Sequence, residues 1–272
     1  MKLATLRIDG TTAAVRVDDT SATLIDGYPD LSALLAAPDW ESLAQNASGP
    51  TVSLDGADYA PVVPHPGKIV CVGLNYATHI KEMGRDLPEY PTLFAKFADA
   101  LTGPYDDVVV PEYAAAQLDW EAELALVIGK PAYQVSEADA DGYIAGYSVI
   151  NDYTMRDYQY RTPQWDQGKN FEKTSGFGPV LVTDYTLGSR IETRLDGELM
   201  QSASTDDLVF SPAKLVEYIS HIVTLNPGDV VITGTTGGVG HARKPARHIG
   251  DGQTVEVSIE GLGTVRNTTI VK

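Results

Sequence analysis

The chain has 272 residues, 43% of them hydrophobic, with 37 acidic against 20 basic side chains and a formal net charge of −17. This length and apolar share suffice for one large domain, or one domain with a small appendage, and the charge excludes the basic field that nucleic acid requires. A single cysteine, Cys71, excludes an internal disulfide framework and a zinc site built on thiolates.

The first ten residues reach Lys2, Arg7 and Asp9 too early for a secretory signal. No run approaches the roughly 18 apolar residues of a membrane span. The expectation is a cytoplasmic protein with neither membrane nor nucleic acid as partner. "KLATLRIDGTTAAVRV" reads as two short strands around the hairpin pair Asp9-Gly10. "DLSALLAAPDWESLAQNA" reads as one or two short helices interrupted by Pro38. Pro61, Pro64 and Pro66 then mark an extended linker. They divide a small N-terminal α/β domain, residues 1–66, from a larger one, residues 67–272.

"KIVCVGLNY" is a continuous apolar strand. In "GLNYATHIKEMG", His79 and Glu82 stand three apart, so a short helix would set them side by side. A carboxylate beside an imidazole raises its basicity, as a general base needs; a solvated helical turn is the alternative. "LDWEAELALVIG" poses a conflict. Asp119, Glu121 and Glu123 lead straight into Leu124–Ile128, yet a carboxylate taken out of water needs a partner. As a strand, the three acids share a face with Ala125 and Val127. As a helix, Glu121 and Glu123 point about 200° apart, and propensity favours the helix. Only the strand makes the glutamates a paired oxygen site of the kind hard cations take. Asp152, after the apolar run 147–150, reads as a strand end or a helix cap.

"SPAKLVEYISHIVTL" is the clearest helix, with Ser211 at the N-cap, Pro212 in the first turn, and Leu215, Tyr218, Ile219 and Ile222 on one face. "GDVVITGTTGGVGHA" is neither a phosphate loop nor a dinucleotide fingerprint. It is either a flexible turn or a set of N–H groups, with the Thr235 hydroxyl, closing over a small anion. "YDDVVVPEY", "GPVLVTDY" and "QTVEVSIEGLGTVRNTTI" are further strands. Strands outnumber helices without alternating with them, so the fold class is mostly β with α (α+β) rather than a doubly wound sheet.

In order and spacing, "GLNYATHIKE", "FAKFADALTGP", "LDWEAELALVIGK", "GYSVINDYTMRDYQ", "GKNFEKTSGFGPV", "DLVFSPAKLVEYIS", "LNPGDVVITGTTGGVG" and "GDGQTVEVSIEGLGTVRN" resemble the fumarylacetoacetate hydrolase superfamily, nearer its acylpyruvate hydrolase and 2-hydroxyhepta-2,4-diene-1,7-dioate isomerase branch. The resemblance runs from Lys68 to near the C-terminus. It implies a mixed, rolled β-sheet and one Mg²⁺ or Mn²⁺ per chain on Glu121, Glu123 and Asp152, with Asp119 structural. It implies a small anionic keto-acid substrate and a homodimer. His79 and Glu82 match a water-activating dyad, and Lys169 the lysine that offsets developing charge. Arg156 and Gln159 match substrate-orienting residues, and Thr235, with Gly234 before it, the grip on the substrate carboxylate. Glu172 and Thr236 depart from the family's frequent Asp and Pro, near where the substrate is expected. The expected activity is hydrolysis of a carbon–carbon bond in a 1,3-diketo acid. The alternatives are a keto-diacid decarboxylase or a dienol-diacid isomerase on the same metal site, and a binding domain without catalysis. Met83, Leu87, Tyr90, Tyr153, Tyr158 and Tyr160 are the candidates for the distal end of the pocket.

Overall fold

In the computed structural model, which describes every residue except Met83 and Arg85 and the side chains of His79 and Glu82, the first hairpin forms at Asp9-Gly10. The expected dyad and Met83 therefore lie outside the described residues. Strands β1 (Lys2–Ile8) and β2 (Thr11–Val17) pair in register from Ile8↔Thr11 to Lys2↔Val17. Asp9 and Gly10 take φ of 48° and 79°, as a two-residue turn of matching twist requires. After β3 (Ser21–Leu24), Asp30 caps α1 (Leu31–Leu35) by accepting from Ala33 N at 2.8 Å. Pro38 separates it from α2 (Trp40–Gln45), as expected, and β4 (Thr51–Ser53) and β5 (Asp58–Tyr59) follow.

The larger part carries β6 (Ile69–Gly73), α3 (Ala77–Glu82), β7 (Thr92–Lys96), β8 (Leu101–Thr102), β9 (Val108–Val110), β10 (Leu118–Asp119) and β11 (Ala122–Ile128). Then come α4 (Glu137–Ala140), β12 (Ile144–Asn151), β13 (Thr154–Met155), α5 (Arg156–Gln159), α6 (Asp166–Lys169) and β14 (Ser175–Val182). The chain closes with β15 (Arg190–Leu195), β16 (Glu198–Ser204), α7 (Pro212–Ser220), β17 (Val230–Thr235), β18 (Thr254–Ile259) and β19 (Gly263–Val271).

Among the described residues, one mixed sheet runs β4-β3-β2-β1-β14-β12-β11-β17-β6-β7, with β5 on β1 and β8 on β14. A second sheet runs β16-β15-β18-β19-β9, and β10 pairs with β13. The large sheet ends at β4 and β7, so it is not a closed barrel. The N-terminal residues extend this sheet, because β1 pairs with β14 at Lys2↔Val182 and Leu3↔Leu181. Their helices seat Leu31, Leu34, Leu35 and Trp40 against Ile69, Cys71, Ala125, Val127 and Ile232.

The centre of the large sheet is β11, buried along its whole length between β12 and β17. Its apolar run reflects cover on both faces: Ala125 and Val127 join one core, Leu126 and Ile128 another. The β-rich class is as expected, but two local expectations fail. Residues 118–128 are not one strand; the ladder breaks at Trp120 and Glu121. Asp119 folds back to accept from Trp120 N at 2.9 Å, and the Asn151 side chain takes Glu121 N at 3.0 Å, so neither N–H serves a neighbouring strand. The other concerns α7. Ser211 caps it as expected, but it ends at Ser220, and Ile222 lies 64% exposed instead of sharing the buried face. Leu215, Val216 and Ile219 form that face. No helix of the described residues is long and apolar enough to cross a membrane.

Candidate metal centre and substrate pocket

The break before β11 creates the site. Glu121 sits in the break, Glu123 on β11, and Asp152 just past the end of β12. Register Ala122↔Asn151 brings the three together, and Asp152 N donates to Glu121 O at 2.9 Å. One carboxylate oxygen from each lies within 4.8 Å of the others, and all three side chains are buried. The strand reading of the glutamates thus holds at Glu123, whereas Glu121 reaches the same point from irregular backbone. Asp119 is structural. It accepts from Gly240 N at 2.7 Å, His241 N at 2.9 Å and Arg156 Nε at 2.8 Å, fastening the loop after β17 to α5.

Three buried cations answer the three carboxylates. Lys169 Nζ donates to Glu121 Oε2 at 2.6 Å and to Asp152 Oδ2 at 2.9 Å. Arg156 Nη1 lies 2.7 Å from Glu121 Oε1 and donates to Gln159 Oε1 at 2.9 Å. Lys96, at the end of β7, lies 2.9 Å from Asp152 Oδ1 and hydrogen-bonds the Lys169 carbonyl. Lys96 received no role from the sequence. Its only signal is a lysine in the apolar strand "TLFAK", whose burial needs a carboxylate partner.

The electrostatics of the triad suit a hard cation. Burial, with Asp152 and Glu121 close by, pushes the Glu123 carboxyl well above the usual range. Burial also raises Asp152, but the Lys169 and Lys96 ammonium groups outweigh it and hold that carboxyl low. Burial lowers Lys169, and the carboxylates of Asp152 and Glu121 more than reverse this, keeping its ammonium intact. Asp152 Oδ1 is buried and, despite its contact with Lys96, has no hydrogen-bond partner. An all-oxygen set of three buried carboxylates converging within 4.8 Å fits Mg²⁺ or Mn²⁺, and Glu121, Glu123 and Asp152 would hold it.

The loop after β17 is built as a clasp on this centre. Gly234 has φ of 97°, and a Cβ there would meet Val72 O at 2.9 Å, so only glycine fits. Its N–H donates to Glu123 Oε2 at 2.6 Å, so in this structure it steadies a candidate metal ligand. Thr235 Oγ1 donates to Ala122 O at 3.0 Å and accepts from Gln201 Nε2 at 2.9 Å. To donate to a substrate carboxylate, this hydroxyl must turn its proton away from Ala122. Gln201, missed in the sequence, holds four bonds at once. Its Oε1 accepts from Ala122 N at 3.0 Å and Thr193 Oγ1 at 2.7 Å, and its Nε2 also reaches Thr236 O at 3.0 Å.

A pocket of about 320 Å³ opens over the centre. Glu121, Glu123, Arg156, Gln159, Lys169 and Thr235 line its polar end. Arg156 lines the pocket, and its Nη2 is buried without a hydrogen-bond partner. Phe94, Tyr160, Trp165 and His241, with Leu74 and Val239, form the other walls. Of the candidates for the distal end, only Tyr160 lines this pocket among the described residues. Leu87 and Tyr90 are exposed, Tyr153 is buried against Thr269, and Tyr158 packs edge-on against Phe171 at 5.0 Å. The two departures also miss it. Glu172 faces solvent, and the buried Thr236 hydroxyl bonds Gly237 O at 2.9 Å within its own turn. The pocket walls come from β7 and from the loops after β6, α5 and β17, so no single stretch of sequence displays them.

The profile of the family "Fumarylacetoacetate (FAA) hydrolase C-terminal" matches residues 68–270. Over 226 residues the chain is 38% identical to a rat protein named oxaloacetate tautomerase Fahd2a, mitochondrial, covering 81% of this chain and 72% of the relative. The solved structure of a fumarylacetoacetate hydrolase from Exiguobacterium antarcticum superposes with a TM-score of 0.90 at 31% identity, covering 100% of each chain. That of a 5-carboxymethyl-2-hydroxymuconate delta-isomerase from Mycobacterium smegmatis superposes with a TM-score of 0.84 at 30% identity, also covering 100% of each. With a family match over most of its length and the buried acidic triad in place, the chain belongs to the fumarylacetoacetate hydrolase family.

Proposed function

We propose that this protein is a divalent-metal-dependent enzyme that interconverts the enol and keto forms of a small 2-keto acid. The observation that carries the reading is the buried triad of Glu121, Glu123 and Asp152 at the base of a pocket where Arg156 keeps a free buried donor. Hydrolysis of a diketo acid, the first expectation, has support only from the family as a whole. The tautomerase and isomerase named among the relatives favour the alternative, a proton-transfer reaction on the same site.

Ketonisation breaks the enol O–H bond and forms a C–H bond at carbon 3, and it consumes no water. Arg156 Nη2 and the Gln159 side chain take the substrate carboxylate. Lys169 spends two N–H groups on Glu121 and Asp152 and offers its third to the oxygen on carbon 2, where enolate charge develops. A divalent cation held by Glu121, Glu123 and Asp152 would supply Lewis-acid polarisation of the keto acid. His79, oriented by Glu82, is proposed to carry the proton to and from carbon 3. The protein is also proposed to work as a homodimer, which sedimentation would check.

The test is to follow decay of the oxaloacetate enol absorbance, ketonisation of a dienol diacid and cleavage of acetylpyruvate side by side, with Mn²⁺ and after chelation. Ketonisation should be accelerated in a chelator-sensitive way and acetylpyruvate left largely intact. Rapid acetylpyruvate cleavage without acceleration of either ketonisation would restore the hydrolase.

A further inference from the structure

We infer that the pocket beyond the three carboxylates is a subsite for an aryl substituent on carbon 3 of the keto acid. The inference rests on the keto-acid reading above and adds the class of substrate. Its first ground is the pair of aromatic walls. Phe94 and Trp165 meet edge to face at 5.5 Å and 73°, and the Phe94 ring lies 5.7 Å from Lys169 Nζ. Tyr160 and His241 lie 4.9 Å apart at 34°, with His241 N on Asp119, which also holds Arg156. Both pairs border the pocket next to the groups proposed to hold the reacting end.

A second ground is that the fold makes room for one of these rings. Gly73 ends β6, and a Cβ there would fall 2.3 Å from the indole of Trp165. Its φ is not in the left-handed region, so space for the indole, rather than backbone freedom, explains glycine here. Trp165 is half-buried and Tyr160 is 56% exposed, so both keep ring surface for a ligand to cover. The remaining wall is aliphatic, from Leu74 and Val239. Burial and the neighbouring Arg156 hold the His241 imidazole below its usual range, so this wall is uncharged at neutral pH. A four-carbon diacid has no apolar face to set against four rings. An arylpyruvate enol, planar from carboxylate to ring, does.

The experiment is calorimetry on the Mn²⁺-loaded protein with two probes. Oxalate fills only the carboxylate end, whereas phenylpyruvate fills both. Wild-type protein should bind phenylpyruvate at least about tenfold more tightly than pyruvate, the scale of one well-buried aromatic contact. Trp165→Ala and Tyr160→Ala should each remove most of that advantage while oxalate affinity stays within about twofold. Gly73→Ala, which displaces the indole without deleting it, should act in the same direction. Oxalate bound with phenylpyruvate no better than pyruvate would overturn the subsite alone. Unchanged phenylpyruvate affinity in both aromatic variants would do the same. Failure of oxalate to bind at all would overturn the keto-acid reading and this inference with it.

Discussion

Gln201 ties the clasp over the carboxylates to the broken end of β11, and its four hydrogen bonds leave Thr235 one resting arrangement. If Gln201 acts on the substrate through Thr235, the two side chains are one unit. Gln201→Met and Thr235→Val should each raise KM for the keto acid about tenfold, and the double variant no more than either alone. Additive effects would mean that Gln201 supports only the strand; thermal unfolding of each variant separates loss of fold from loss of grip. Lys169 allows a sharper distinction between holding metal and offsetting charge. Lys169→Met deletes a cation from the triad, so turnover should fall about a hundredfold or more while Mn²⁺ binds more tightly. Weaker Mn²⁺ binding, read by calorimetry, would show that the ammonium positions the ligands. At this scale Glu121 and Glu123 stood out by themselves, as acids leading into an apolar strand, whereas Asp152, Arg156, Gln159 and Lys169 were legible only through the resemblance of ordered motifs to the family. Lys96, Trp165, His241 and Gln201 stayed hidden. Each looks like an ordinary residue until the fold brings it to the pocket or its clasp.

Between elements, the N-terminal hairpin is fastened to the catalytic part by an ion pair as well as by the ladder. Arg7 Nη2 lies 2.8 Å from Asp106 Oδ2, which also accepts from Thr102 Oγ1 at 2.9 Å and Gly103 N at 2.7 Å. Burial raises the Asp106 carboxyl, but Arg7 and the Gly103 N–H outweigh it and hold that carboxyl below its usual range. A depressed carboxyl contributes stability above its unfolded value, near pH 3.9, and loses it as pH falls through the folded value. Asp106→Asn should therefore cost about 1–3 kcal/mol at pH 7, with the gap to wild type closing below about pH 4. A gap that persists in acid would point to packing. The first hairpin and the Ser211 cap that starts α7 were legible because turn chemistry and capping are local. The break at Trp120–Glu121 was not, since the Asn151 side chain that captures Glu121 N comes from another strand.

Across the whole molecule the triad joins β11 to the end of β12 at the middle of the large sheet, so metal and fold are linked. A cation that binds only the folded chain adds about 2.7 kcal/mol at a hundred times its Kd. For a chain of this size that is roughly 5–10 °C in Tm. Mn²⁺ should raise the melting temperature by about that much, chelator should reverse it, and Glu121→Ala/Glu123→Ala should abolish the response. Elemental analysis should find one divalent ion per wild-type chain and almost none in that variant. A full complement in the variant would place the metal elsewhere.

What the sequence determined by itself was the β-rich class, the hairpin and capping signals, and, through ordered motifs, the family and its three carboxylates. These depend on residue type and spacing along the chain, which folding leaves unchanged. The tertiary structure alone decided how the carboxylates are balanced and what surrounds the substrate. Lys96, Lys169 and Arg156 converge on the triad from β7, α6 and α5, and the aromatic walls come from β7 and the loops after α5 and β17. Electrostatic balance and cavity shape depend on distances through space, and residues as far apart in the chain as Phe94 and His241 carry no shared pattern in it.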